Sequence, residues 1–404
     1  MNVLYLSYNG LLEPLGQSQV LAYLRDLASV HGHRFHVMSY EKPRHWADRA
    51  LIRQQRAALP AGVTWHPLLY HQRPTVPATL YDVLRGLPLA LRLAQRQRIE
   101  TVHVRSYVPM VIGIALKNLL GIRLIFDMRG LWADERADVG ACTRQSRQYR
   151  AIKALERNSF RSSDHIIMLT KRVQHELQSQ TAPGTTTVIP CCADLQRFRP
   201  DAALRQEMRQ QHSWQDQTVL VSSGSLGGWY MTDELAQVYA QWSRQHPRLH
   251  LLILTHSDPA LIVGPLERYG VAANRYTVQA APASEVPRWL AAADGAVMLI
   301  QPWYSKIASS PTKQAEYLGC GLPIVANAGV GDGDTLLRDN AVGVVFDRWD
   351  PAALQRTFAT FLGLMNDPGT WQRCRALAEA ELDLRTGVER YHRVYQALAN
   401  ESGV

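Results

Sequence analysis

Three observations predict two doubly wound α/β domains. Short Val/Ile/Leu-rich runs alternate with helical patterns along the whole 404-residue chain, which is the signature of parallel sheets covered by helices on both faces. The length suits two or three domains, each with its own core. The chain also changes character near residues 190–203, where Pro190 and Pro200 bracket a Cys-Cys-Ala-Asp turn. Residues 1–200 carry 27 Lys+Arg against 14 Asp+Glu, a net of +13, whereas residues 201–404 carry 17 against 21, a net of −4. The domains are therefore predicted over 1–190 and 201–384.

The elements follow in order. Strands are predicted over 2–7, 35–39, 64–67, 101–104, 123–126, 165–169 and 187–189 in the first half. In the second they fall over 219–222, 251–255, 276–279, 295–300, 323–326 and 343–346. Most are apolar without alternation, as strands buried on both faces require. Helices are predicted over 17–30, 47–58, 80–97, 107–119, 146–162, 171–179, 231–245, 284–293 and 351–366, from apolar recurrence at three and four residues.

Composition narrows the class. Hydrophobic residues at 46% and charged residues at 20% describe a globular enzyme. Five cysteines, Cys142, Cys191, Cys192, Cys320 and Cys374, show neither a CxxC pair nor zinc spacing, so a reducing, cytoplasmic setting is expected. The start reads as a strand and not as a signal peptide, and no apolar run is long enough to span a bilayer. The basic first half points to an anionic partner: a membrane surface or a lipid-pyrophosphate acceptor. Nucleic acid is not expected, because the Arg residues are scattered and no binding motif accompanies them.

The most informative stretch is Ser309-Ser310-Pro311-Thr312-Lys313-Gln314-Ala315-Glu316-Tyr317-Leu318-Gly319-Cys320-Gly321-Leu322-Pro323-Ile324-Val325-Ala326. It reads as loop, helix, turn and strand, with Ser309 or Ser310 as N-cap and Pro311 at the first helical position. Free amides, the helix dipole and Lys313 make an anion site, with Thr312 and the two serines beside it. Glu316, about a turn further on, suits the vicinal diol of a ribose. A nucleotide-sugar pocket is the expectation, with an ordinary capped helix as its alternative.

This segment resembles the donor-site motif of the retaining family 4 glycosyltransferases of the GT-B fold. That family pairs two glutamates eight positions apart, the second followed by Leu-Ala-x-Gly-x-Pro-Val-Val. Glu316 matches the second glutamate and Leu318 to Val325 match the tail, but Ala308 stands at the first. The segment Val188-Ile189-Pro190-Cys191-Cys192-Ala193-Asp194-Leu195-Gln196-Arg197-Phe198-Arg199-Pro200 resembles the family hinge. The resemblance implies two Rossmann-like domains facing across a cleft, an N-terminal acceptor-binding domain and a C-terminal donor-binding domain. It also implies that a C-terminal helix over 385–404 packs back on the first domain.

Other motifs attach to this frame. Glu13-Pro14-Leu15-Gly16-Gln17-Ser18-Gln19 resembles a family subgroup with Asp in place of Glu13. Gly16, Gln17 and Ser18 are then donor-loop residues, with free amides expected where a helix starts near Gln17. His103-Val104-Arg105 occupies a site where the family often has His-x-His, so Arg105 stands at the position bordering the donor sugar. A guanidinium there suits a carboxylate or phosphate, or a structural ion pair. His103 reads better as a hydrogen-bonded core histidine. The pattern Asp-Met-Arg-Gly-x-Trp, met here from Asp127 to Trp132, recurs in the same subgroup, and Asp127 is the candidate base on the acceptor hydroxyl, with Arg129 as its neighbour or its partner. In Gly224-Ser225-Leu226-Gly227-Gly228-Trp229-Tyr230 the usual Arg and Lys of the family are absent. Lys306 or Lys313, with the amides of Gly227 and Gly228, is expected to hold the diphosphate.

Residues 78–98 combine leucines with Arg85, Arg92, Arg96 and Arg98, either a membrane-touching helix or a core-facing one with a basic side. The histidines at 31, 33 and 36, and at 246 and 250, read as surface residues. The expected activity is transfer of a sugar, with retention, from a nucleotide diphosphate sugar to a glycan or lipid-linked acceptor. No metal and no further cofactor is expected, and the protein would act in the cytoplasm or at the cytoplasmic membrane face. A nucleotide-sugar 2-epimerase and a degenerate nucleotide-sugar-binding subunit are the alternatives.

Overall fold

The computed structural model describes residues 1–400. It divides into two compact units, Met1–Pro190 with Leu384–Val404, and Cys191–Asp383; the last four residues of the first, and of the expected 385–404 helix, lie outside the described residues. Each unit is built on one wholly parallel sheet.

The first sheet contains β1 (Asn2–Ser7), β2 (Arg34–Glu41), β3 (Val63–Leu69), β4 (Thr101–Arg105), β5 (Arg123–Asp127), β6 (His165–Met168) and β7 (Thr186–Val188), in the order β3-β2-β1-β4-β5-β6-β7. The second contains β8 (Thr218–Ser223), β9 (Leu249–Leu254), β10 (Tyr276–Gln279), β11 (Gly295–Met298), β12 (Ile324–Asn327) and β13 (Gly343–Phe346), in the order β10-β9-β8-β11-β12-β13. In both, the order reverses beside the first strand of the unit, the switch point at which doubly wound sheets bind ligands.

Burial explains the unalternating strands. In β8, Val219 and Val221 join one apolar layer while Leu220 joins the other. In β9, Leu252 and Leu254 face the first layer while Leu251 and Ile253 face the second. These central positions are apolar because both faces are covered.

Several helices differ from expectation. The helix predicted over 17–30 begins at Pro14 and passes through a π turn at Gln17–Leu21 before continuing as Ala22–Ser29. The helix predicted over 80–97 runs over Thr75–Arg96, with Pro88 inside it; Pro77 sits in the first turn, where its missing N–H is tolerated. Short helices at Trp132–Asp138, Ala202–Gln211, Ala260–Arg268, Gly333–Asp339 and Thr370–Leu377 lack the long apolar stripe that periodicity detects.

The final helix, Leu384–Asn400, packs within the first unit. Tyr391 meets Tyr23 with ring centres 5.3 Å apart, and the Tyr395 hydroxyl lies 2.6 Å from His103 Nδ1. The histidines read as surface residues are partly interior. His33 and His250 are buried, His31 stacks on His392 at 3.8 Å, and His250 Nε2 lies 2.9 Å from Thr277 Oγ1. The turn around Gly32 brings His31 and His33 under the last helix, a contact that local sequence does not report.

Candidate functional site

In the second unit, β8 ends at Ser223 and the chain turns through the glycine-rich loop. Gly227 and Gly228 have φ of 73° and 64°, a left-handed pair that side-chain-bearing residues resist. The Ser223 amide donates to the Tyr317 hydroxyl at 2.7 Å, and the Gln301 amide donates to the Trp229 carbonyl at 2.8 Å. Asn327 braces the end of the sheet, accepting from the Ile300 amide and donating to the Ile300 carbonyl, both at 2.8 Å. The loop is therefore tied to the strands and helix that carry the lysines.

Helix Thr312–Gly319 lies against this loop. Lys313 Nζ is 4.4 Å from the Tyr230 ring centre, and a Cβ added to Gly224 would stand 2.9 Å from Nζ. Burial pulls the Lys313 pKa down to about 8, against the pull of Glu316. Burial pushes Glu316 up to about 7, opposed by Lys313 and by Arg197. One helix thus presents a cation and a carboxylate that both titrate near neutrality. It ends in a Schellman arrangement, with the Leu322 amide on the Tyr317 carbonyl at 2.9 Å and Gly321 at φ 79°.

The expected donor residues fare differently. Ser310 does not cap the helix: Pro311 holds the N-cap position, and the Ser310 hydroxyl accepts from the Cys191 amide at 3.0 Å. Ser309 also makes no cap; its amide closes a 3-10 turn onto Lys306 at 3.1 Å. The helix amides, beginning with Thr312, thus have no side-chain cap. The Gly227 amide is already bound to Thr232 Oγ1 at 2.8 Å, which removes it as a phosphate donor. The Gly228 amide has no internal partner among the described residues. Lys306 is buried, its Nζ 3.9 Å from the Trp229 ring centre. Ala308, at the position of the missing glutamate, is 1% exposed and closes the same 3-10 turn.

The residues of the first unit form two groups. Gly16 is buried, and a Cβ there would meet the Gly10 carbonyl at 2.1 Å. Because the helix begins at Pro14, the Gln17 amide is spent on Glu13 O at 3.0 Å, and the Ser18 hydroxyl donates to Pro14 O at 3.0 Å. The free amides expected at Gln17 are therefore absent. Sequence reasoning missed Glu41, which is wholly buried at the end of β2. It accepts from the Leu11 and Leu12 amides at 2.8 and 3.2 Å and from Ser39 Oγ at 2.6 Å, fixing this loop. A carboxylate closing an apolar strand was its only signal.

His103, Arg105, Asp127 and Arg129 do come together, because Arg105 and Asp127 are register partners on β4 and β5. Asp127 is the centre, 0% exposed, with Arg105 Nη1 at 3.3 Å, Arg129 Nη1 at 3.4 Å, His103 Nε2 at 3.7 Å and the Tyr391 hydroxyl at 3.4 Å. Burial alone would raise its pKa, but Arg129, His103 and Arg105 together hold it well below the usual carboxylate range. Burial and pairing with two guanidiniums are an environment that disfavours proton uptake by Asp127, the step expected of a base on an acceptor hydroxyl. Burial lowers the pKa of His103, which stays neutral and bonded to Tyr395.

No group of His, Cys, Asp and Glu among the described residues is arranged to hold a metal ion, and no described helix is long and apolar enough to cross a membrane.

Two parallel, doubly wound units define the class as the GT-B glycosyltransferase fold. Residues 16–197 match the family model Glycosyltransferase Family 4, so that this part of the chain is similar to that family. No curated protein matches the chain significantly. Among solved structures, sucrose-phosphate synthase from Thermosynechococcus elongatus is 16% identical, with a TM-score of 0.75 over 99% of this chain and 100% of its own. HepE of Anabaena, solved with UDP, is 16% identical at a TM-score of 0.72 over 98% of this chain and 100% of its own. WaaG, a glycosyltransferase involved in lipopolysaccharide biosynthesis, is 17% identical at 0.69 over 97% and 99%.

Proposed function

We propose that the protein is a retaining glycosyltransferase that moves a sugar from a nucleotide diphosphate sugar to a hydroxyl of a glycan or lipid-linked acceptor. The observation that carries this reading is the placement of Lys313 and Glu316 on one helix face under the glycine-rich turn. Lys313, the Thr312 amide and the Gly228 amide supply positive charge and donors for a diphosphate, and Glu316 accepts from a ribose diol. Near neutral pH Lys313 is mostly charged and Glu316 partly ionised, the pair of states such a ligand needs. UDP-sugars are the first donors to test, since HepE was solved with UDP and with UDP-glucose.

As bonds to the leaving diphosphate lengthen, charge grows on its oxygens, and a fixed cation in a dry site lowers that barrier. The Asp127 cluster serves as a positioning group for the ends of β4 and β5. The reaction in this reading needs no metal and no further cofactor. The buried Ala308 favours one rival, a subunit that binds nucleotide without turnover.

The test is a thermal-shift titration with UDP, UDP-glucose and other nucleotide sugars, since a ligand of the native state raises the melting temperature. A shift by one nucleotide class that disappears in Glu316→Ala, with the unliganded melting temperature kept, is the expected result. Undiminished binding in that variant refutes the site. Binding without sugar transfer to any acceptor, or hydrolysis, selects the non-catalytic rival.

A further inference from the structure

We propose that a cavity in the first unit seats the acceptor and takes an acidic saccharide, one bearing a phosphate or a carboxylate. The inference rests on the glycosyltransferase reading above and names the class of its second substrate. The cavity holds about 570 Å³, within the range of small-molecule sites. It is lined by residues that end or follow three adjacent strands: Tyr8, Asn9 and Glu13 after β1, Tyr40 and Lys42 to Arg44 at the end of β2, and Tyr70 and Gln72 after β3. That is the carboxyl edge of the sheet, where open α/β folds bind ligands. None of these residues belongs to the Asp127 cluster or to the helix carrying Lys313.

Its chemistry is that of a sugar site. The Tyr8 ring stands 5.0 Å from Tyr40 and 5.3 Å from Tyr70, an aromatic wall of the kind that packs on an amphipathic ring. The wall is rigid because its hydroxyls are held from behind. Tyr8 donates to Asp82 Oδ2 at 3.0 Å and Tyr40 to the Asp82 carbonyl at 2.9 Å. Asp82 is wholly buried, and also accepts from the His71 amide at 3.0 Å. Asn9 and Gln72 offer both donors and acceptors, as hydroxyl groups require.

Charge then selects among saccharides. Lys42 Nζ lies 3.2 Å from Glu13 Oε2, so that pair is neutral. Arg44 makes no ion pair among the described residues. The cavity therefore keeps one uncompensated guanidinium, whose planar fork matches a carboxylate or a phosphate.

The test uses the full chain, titrated by calorimetry and saturation-transfer NMR with glucose 6-phosphate, glucuronate, glucose and inorganic phosphate. Both acidic sugars, or one of them, should bind about tenfold more tightly than glucose, the value of one charge-assisted hydrogen bond. Which of them binds identifies the acid as phosphate or carboxylate. Arg44→Ala should remove that advantage and leave glucose unchanged, while Tyr70→Ala should weaken all three sugars. Equal binding of glucose and the acidic sugars, phosphate binding as tightly as the sugar phosphate, or an Arg44→Ala without effect overturns the inference. UDP thermal shifts on the same variants separate the two readings. A normal UDP shift with no acidic-sugar binding refutes this cavity's role and leaves the glycosyltransferase standing. Loss of the UDP shift in the wild type refutes the donor site, and the sugar titration still decides the cavity.

Discussion

Asp127 shows how one residue can look catalytic in sequence and stand in the fold at the centre of a buried ion-pair network. A carboxylate at a strand end beside arginines is what an active site needs, and also what a buried ion-pair network needs. Burial with two guanidiniums favours the second. Removing the charge strands Arg105 and Arg129 in a closed site, and breaking such a pair is strongly destabilising. Asp127→Asn should therefore lose about 3 kcal/mol of stability, measured by urea unfolding of the first-unit transition. A variant with unchanged stability and lost transfer activity would restore a direct catalytic role. Sequence could place Asp127 at a strand end, but not tell that Tyr391, 264 positions later, would close over it.

Among the elements, helix Thr75–Arg96 departs most from a simple core helix. Its inner face buries Ala78, Asp82, Val83, Gly86, Ala90, Leu93 and Ala94. On the other side Val76, Leu80 and Leu84, four residues apart, are 66%, 58% and 61% exposed. The single acid of the helix, Asp82, is buried, and Arg85, Arg92 and Arg96 are exposed. An apolar stripe beside uncompensated cations fits an anionic bilayer. The full chain is expected to co-sediment with vesicles containing phosphatidylglycerol and not with pure phosphatidylcholine. Leu80→Asp with Leu84→Asp should abolish this without changing UDP binding. Equal binding to both vesicle types, or binding kept by the double variant, excludes this surface. The leucines and arginines were legible as an amphipathic pattern. Which leucines remained outside was not, since that depends on how wide a stripe the sheet covers.

For the whole molecule, the histidines set an acid limit. Burial holds His33, His66 and His250 down at about 4, from the ordinary 6.5, and lowers His36 and His392 as well. A depressed folded pKa means that the unfolded chain binds more protons. The stability associated with these groups is complete above pH 6.5 and is lost progressively as pH falls towards 4. Two of the pairs are internal to the first unit: His33 with His392 at 2.9 Å, which ties the last helix down, and His36 with His66 at 3.3 Å, between β2 and β3. Unfolding midpoints in urea should fall between pH 7.5 and 5. His33→Asn should flatten that dependence, and a midpoint independent of pH in the wild type would refute the assignment.

The sequence by itself determined the fold class, the places of the strands and the helix–turn–strand that carries Lys313 and Glu316. These rest on local rules: apolar runs covered on both faces, a glycine able to end a helix, and a carboxylate one turn beyond a lysine. Tertiary structure alone decided which polar groups were left to act. It spent Ser310 and the Gln17 amide on the chain's own backbone and the Gly227 amide on the Thr232 hydroxyl, and enclosed Asp127 among cations. It also built a tyrosine-walled cavity from three loops that no local motif marks. A hydrogen bond satisfied inside the protein is withdrawn from any ligand, and its partner is chosen by proximity in space, not by neighbourhood in sequence.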